Sequence, residues 1–120
     1  MKNNSKNWGN HRDNLWNITN ANSKYYTNSQ WTSGAYGAKG SGKDILLSTG
    51  ASDTFSKQGI YDLAGNVWKW TLEYTSYLSN PCSLRGGYCI STGSNDPANS
   101  RANDGTGSYN SYLGFRTSLF

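Results

Sequence analysis

Gly59-Ile60-Tyr61-Asp62-Leu63-Ala64-Gly65-Asn66-Val67-Trp68-Lys69-Trp70 is the stretch on which the reading of this chain turns. Its second half alternates. Val67, Lys69 and Thr71 fall to one side, and Trp68, Trp70 and Leu72 fall to the other. A period of two predicts a strand. Downstream, Ser83-Leu84-Arg85-Gly86-Gly87-Tyr88 reads as a second short strand, whose glycines allow another backbone to approach closely. Leu113 to Phe120 reads as a terminal strand with Phe115, Thr117 and Leu119 on one face. Trp68 and Trp70 are expected in the core beside Phe115.

Upstream the pattern fades. Ile45-Leu46-Leu47 is a short apolar run followed by the polar turn at residues 48–53. Gly34 to Gly42 reads as a flexible connector rich in Gly and Ser. The first thirty residues are rich in Asn, Ser and Lys, with Trp8, Leu15, Trp16 and Ile18 as isolated apolar anchors. No helical or alternating period survives there, so loops and turns pinned by aromatics are predicted. His11, the single histidine, has no acidic or thiol neighbour forming a site and is expected in solvent.

The totals bound the answer. A chain of 120 residues is one domain at most. Its hydrophobic fraction of 34% is low, but five Trp, nine Tyr and three Phe supply large rings for a core. Each such ring can bury about 150–250 Å², so a loop-rich domain with an aromatic core is expected rather than disorder. The net charge of +4 lies entirely in residues 1–60, where seven basic side chains face three aspartates. These cations are scattered singly, whereas a nucleic-acid groove needs a dense basic stripe with interleaved aromatics, so no nucleic-acid partner is expected. No run approaches a membrane span, and Met1-Lys2-Asn3-Asn4-Ser5 leads into no apolar segment of a signal peptide. The compartment is left open. Cys82 and Cys89 are too few for a disulfide framework and read either as reduced thiols or as one small closed loop. Gly37-Ala38-Lys39-Gly40-Ser41-Gly42-Lys43-Asp44 nearly spells a phosphate-binding loop. Asp44 stands where the magnesium-holding Ser or Thr should be, and no strand precedes it, so nucleotide binding is not expected.

Taken together, three segments resemble the formylglycine-generating enzyme, or sulfatase-modifying-factor, family. The stretch at residues 59–70 is similar to that family's GLYDMxGNVWEW signature, Arg85-Gly86-Gly87 to its RGG strand, and Gly114-Phe115-Arg116 to its closing GFR. Arg101 sits where the family carries an arginine between the last two. The resemblance implies an α+β domain with an irregular C-type-lectin-like fold, short antiparallel strands, long ordered loops and little helix. On that basis residues 44–120 are the C-terminal part of such a domain, and residues 1–43 an irregular Asn/Ser/Gly-rich segment packed on it. Framework roles fall by motif position to Asp62, Gly65, Asn66, Trp68, Trp70, Arg85, Gly86, Gly87, Arg101, Gly114, Phe115 and Arg116. Arg101 is expected to hold the preceding loop through backbone carbonyls.

The resemblance also shows what is missing. The family's enzyme oxidises a substrate cysteine with two cysteines of its own and copper, four and nine residues after the second Gly of RGG. Those positions are Ser91 and Asp96 here, and Cys89 falls two residues early. A soft thiolate pair is what holds Cu(I), so no copper, no other metal or cofactor, and no catalytic residue are expected. The family's calcium ligands would become Asp62, the carbonyls of Gly65 and Val67, and Lys69, whose ammonium either repels a cation or points to solvent.

Residues 88–113 set tyrosines among Asn, Ser, Asp and Gly, the side-chain chemistry of antibody paratopes. The segment also resembles the variable region of phage and bacterial proteins diversified by retroelements. The expected ligand surface is Tyr88, Ile90, Asn95, Asp96, Asn99, Asn103, Tyr109, Asn110 and Tyr112. A non-catalytic binding or display module for an unknown protein or glycan ligand is the leading reading. The alternatives are a divergent oxidoreductase of the family and an inactive fragment that needs an upstream half-domain or another chain.

Overall fold

The computed structural model describes residues 3–57 and 59–115. The strands of the first half are short, two to four residues each. Trp16–Ile18 (β1) pairs antiparallel with Gly37–Lys39 (β4), while Lys24–Thr27 (β2) and Gln30–Ser33 (β3) form a hairpin. Its two turn residues, Asn28 and Ser29, both have positive φ (50° and 63°), which matches the right-handed twist of the flanking strands. Leu46–Leu47 (β5) adds to β2, giving the sheet order β3-β2-β5. Ser56–Lys57 (β6) and Ile60–Tyr61 (β7) pair as a small ribbon.

The second half builds one larger sheet. Trp68–Tyr74 (β8) is the longest strand and lies where the alternation predicts it. Cys82–Arg85 (β9) pairs antiparallel with it, Arg101–Asp104 (β10) pairs with β9, and Leu113–Gly114 (β11) joins β8 in parallel. The order is β10-β9-β8-β11.

Three expectations are corrected. The fold is not α+β. Among the described residues there is no α-helix, only the one-turn 3₁₀ segments Lys6–Trp8 and Asp53–Phe55, and the domain is β-rich. No stretch of the sequence carries the 3.6-residue apolar period an α-helix needs in order to bury a face. The N-terminal segment, expected as loop, and the connector at residues 34–42 supply β1 to β4. Strands of three or four residues are too brief for a period to register.

The core is the third correction. It is formed by Ile18, Leu47, Ala51 and Phe55, all buried, with Trp16, Tyr25, Tyr36 and Ile45 packed around them. Trp16 meets the Phe55 ring at 4.2 Å between centroids, and Tyr25 meets Tyr36 edge-on at 5.3 Å. Full burial of an Ile, Leu or Phe side chain is worth about 1.5–3 kcal/mol, so the first half anchors the domain. Trp68 and Trp70 are half-buried and Phe115 is 77% exposed, not in the core. The rest of the expected terminal strand, including Arg116, Thr117 and Leu119, lies outside the described residues. No helix among the described residues is long and apolar enough to cross a membrane.

Candidate functional site

The signature stretch ends β7 and turns sharply before β8. Asp62 and Asn66 adopt positive φ (48° and 62°), and Gly65 between them does so too (74°). Non-glycine residues rarely accept this region, Asn and Asp excepted. A Cβ on Gly65 would lie 2.6 Å from the carbonyl oxygen of Asn10, so only glycine fits.

Asn66 is the hub of this turn. Its Nδ2 donates to the Leu47 carbonyl at 2.7 Å, and its Oδ1 accepts from the Leu47 N–H and from Asn10 Nδ2, each at 3.0 Å. Its carbonyl receives the Cys89 N–H at 3.0 Å, and the neighbouring Gly65 N–H donates to the Gly86 carbonyl at 2.7 Å. The Asn10 N–H donates to Asp62 Oδ1 at 3.2 Å. Three chain regions, at Asn10, at Leu47 and at Gly86 to Cys89, thus converge on residues 62–66, and the N-terminal segment is stitched into the same unit.

His11 is buried, contrary to expectation, with no exposed surface. Its Nδ1 lies 3.3 Å from the Ser91 carbonyl, which can only accept, so Nδ1 carries the proton. Burial pulls its pKa down to about 4, despite opposing pulls from the Ser91 carbonyl and Asp13. Lys39 is also buried. Its Nζ caps the His11 and Asn14 carbonyls at 2.6 and 3.4 Å, and burial lowers its pKa to about 8. Neither residue was singled out as structural in the sequence, because each contact crosses from one strand or turn to a distant one.

Lys69 does not simply point to solvent. Its Nζ donates to the Gly65 carbonyl, one of the oxygens a calcium ion would need. The ammonium occupies that oxygen, and the residues present do not fit a calcium site.

The loop after β9 is held down along its first part. Ser5 N–H donates to the Gly93 carbonyl at 2.8 Å, Arg12 N–H to the Ser91 carbonyl at 2.9 Å, and Ala98 N–H to Ser5 Oγ at 2.8 Å. Gly87 sits so close beneath this loop that a Cβ there would lie 2.7 Å from the Asp96 carbonyl oxygen. Ser91 and Asp96, the positions matched to the copper cysteines, bond to each other through Ser91 Oγ and Asp96 Oδ2. Ser100 Oγ takes the other carboxylate oxygen at 3.2 Å. A hydroxyl and a carboxylate are hard oxygen donors already spent on one another, so this pair does not fit Cu(I). Cys89 is buried with its thiol pushed up to about 12 by desolvation, far from a thiolate. Both cysteines are free thiols.

The expected ligand surface divides. Asn95, Asn99, Asn103, Tyr109 and Asn110 are exposed, Tyr109 at 92%. Ile90, Asp96, Tyr88 and Tyr112 are half-buried. Tyr88 stacks on Trp68 at 5.9 Å and meets Tyr112 edge-on at 5.4 Å, so these two rings line the sheet.

A carboxylate overlooked in the sequence organises the far end of the large sheet. Glu73 on β8 accepts Arg85 Nε at 3.0 Å, one Arg85 terminal nitrogen at 2.7 Å and one Arg101 terminal nitrogen at 2.7 Å, with Ser83 Oγ at 3.3 Å. Hydrogen bonds from Arg85, then Arg101, hold its pKa down to about 2. Arg101 therefore pairs with a side chain, and it is Arg85 that reaches a loop carbonyl, that of Asn99 at 2.7 Å. The signal available was the alternation itself, which puts Glu73 on the side of Lys69 and Thr71.

Comparison with known proteins agrees with the motifs. The chain belongs to the family of the sulfatase-modifying factor enzyme 1-like domain, whose sequence model matches residues 1–119. The match takes in the N-terminal strands as well as the signature stretch. No curated protein matches the chain, and no solved structure does.

Proposed function

We propose that this chain is a non-catalytic binding member of its family, presenting the exposed part of residues 88–113 to a protein or glycan ligand. The observation that carries the reading is the Ser91–Asp96 hydrogen bond at the two positions where the family's oxidase needs thiols. A serine hydroxyl and a carboxylate cannot cycle between thiol and disulfide, and the nearby Cys89 is held as a buried thiol. The exposed Asn95, Asn99, Asn103, Tyr109 and Asn110 supply adaptable amides and one large ring. A display role of the retroelement-diversified kind further requires that close relatives vary at these positions and not at residues 62–66.

The alternative is a divergent oxidoreductase, which family membership by itself supports. The two separate on one experiment. Purified protein is titrated with Cu(I) under a competing chelator and then incubated with a cysteine-containing sulfatase peptide. We expect no one-to-one copper uptake and no aldehyde. Tight stoichiometric copper binding with aldehyde formation overturns the proposal in favour of the enzyme.

A further inference from the structure

An open cleft of about 600 Å³ lies at the end of the large sheet, beyond the Glu73 network. Glu73 and Ser83 belong to its lining, together with Arg101 and Asn103 of β10 and the tyrosines Tyr74 and Tyr77 of the β8–β9 hairpin. Its size falls in the range of small-ligand sites, about 300–1,000 Å³. The hairpin end is braced for the purpose. Thr75 Oγ1 donates to the Asn80 carbonyl at 2.7 Å, Asn80 N–H donates to the Tyr77 carbonyl at 3.1 Å, and Asn80 Nδ2 reaches Asn103 Oδ1 at 3.3 Å.

Charge and shape then specify a ligand. Two guanidinium groups share the single Glu73 carboxylate, leaving one positive charge in excess. That charge is on offer at Arg101, whose side chain is 65% exposed and spends one N–H on Glu73. A guanidinium carries five donors in a planar fork suited to a second carboxylate. Tyr74 and Tyr77 are 77% and 63% exposed, and their hydroxyls have no partner among the described residues. An exposed ring face is electron-rich and attracts the polarised C–H groups of a flat apolar surface. Asn103 adds amide donors suited to hydroxyl groups. One class of molecule combines a carboxylate, a C–H face and a rim of hydroxyls.

We propose that this cleft binds an acidic saccharide of the uronate type, its carboxylate on Arg101 and one ring face against Tyr74 or Tyr77. Of residues 88–113 the cleft takes Arg101, Ala102 and Asn103, while its aromatic wall and Glu73 lie outside that range. It therefore goes beyond the reading above, and loss of saccharide binding leaves that reading's copper test untouched.

The test is calorimetric titration with a galacturonate trimer and with its methyl ester, which keeps the rings and hydroxyls and removes the charge. The acid is expected to bind at least about tenfold more tightly than the ester, a difference of about 1.4 kcal/mol. Binding should weaken as salt rises. Tyr77→Ala and Arg101→Gln should each cut affinity at least about fivefold while the Glu73–Arg85 pair keeps the sheet folded. Equal binding of acid and ester, or no binding by a parent protein with an intact melting transition, overturns the proposal. So does tighter binding of an acidic peptide with the same number of carboxylates, which would make the cleft a peptide site. Should Arg101→Gln fail to fold, the acid-to-ester ratio and the exposed Tyr77→Ala variant decide alone.

Discussion

Asn66 donates its N–H to the carbonyl of Asn10 at 2.7 Å, and Asn10 Nδ2 returns a hydrogen bond to Asn66 Oδ1 at 3.0 Å. Two turns from distant parts of the chain are locked face to face by this exchange. Both residues are buried. Each has polar groups that water cannot reach, so the pairing is obligatory in the folded state.

Replacing Asn66 with alanine therefore strips several groups at once. The Leu47 N–H, the Leu47 carbonyl and Asn10 Nδ2 all lose a partner. A buried group left unsatisfied costs about 1–3 kcal/mol, and alanine at φ 62° adds backbone strain. Asn66→Ala should lose at least about 3 kcal/mol in urea unfolding. Asn66→Asp keeps both acceptor roles but turns an oxygen toward the Leu47 carbonyl, and should fall between. An alanine variant within about 1 kcal/mol of the parent would remove Asn66 from the centre of the fold.

His11 sets the acid response. Its pKa is about 4 in the fold against 6.5 for the free side chain. Between those values the unfolded chain binds the extra proton, so stability falls as pH drops from about 6.5 toward about 4, and the His11 contribution is constant above. Glu73 shifts from 4.5 to about 2, and its stabilisation is lost only in that lower window. The unfolding free energy should thus decline from about pH 6.5 to about pH 4.5 through His11, by up to about 1.4 kcal/mol per pH unit. A His11→Gln variant should be nearly flat there. An equal decline in both proteins would assign the acid sensitivity elsewhere.

The two arginines on Glu73 are not equivalent. Arg85 forks onto both carboxylate oxygens, also holds the Asn99 carbonyl, and has a side chain only 26% exposed. Arg101 makes one contact from a largely exposed position. Exposed pairs contribute little and are screened by salt. Arg85→Ala should lower the melting temperature clearly more than Arg101→Ala, and Glu73→Gln should shrink the effect of Arg85→Ala in the double variant. The reverse order would restore Arg101 as the framework arginine that its motif position implies.

Such particulars mark where sequence reasoning reached and where it stopped. β8 was legible because seven residues give a period of two room to repeat. The turn at residues 65–66 and the glycines at 86 and 87 were legible through the family motifs; close backbone approach requires Gly65 and Gly87, and a φ of 86° favours Gly86. Ile18 and Phe55, the largest buried side chains, stood outside any period. Their burial follows from pairing between distant segments such as β1 and β4, where Trp16 lies opposite Lys39 and Ile18 opposite Gly37, contacts that no local window contains. His11 and Lys39 were missed for a related reason. A polar residue reads as surface until the carbonyls that satisfy it are seen. The α+β class came from resemblance and not from any helical pattern in the chain, and it is the part that the fold overturned.

The rings of the expected ligand surface give the sharpest remaining test. Tyr88 lies between Trp68 and Tyr112, in contact with both, whereas Tyr109 stands 92% exposed. Aromatic pairs contribute about 0.5–1.5 kcal/mol each beyond the area they bury. Tyr88→Ala breaks two pairs and should destabilise by about 2–3 kcal/mol, Tyr112→Ala breaks one and should cost about 1–2 kcal/mol. Tyr109→Ala should change stability by less than about 0.5 kcal/mol. Urea unfolding of the three variants, read by tryptophan fluorescence, measures the ladder directly, because Trp68 is the partner of Tyr88. If Tyr88→Ala and Tyr112→Ala unfold with the parent's midpoint, the two rings are ornaments of the surface and free to bind. If the order holds, the binding energy of this face must come from Tyr109 and its neighbouring amides, and Tyr88 and Tyr112 act only by keeping the sheet beneath them in place.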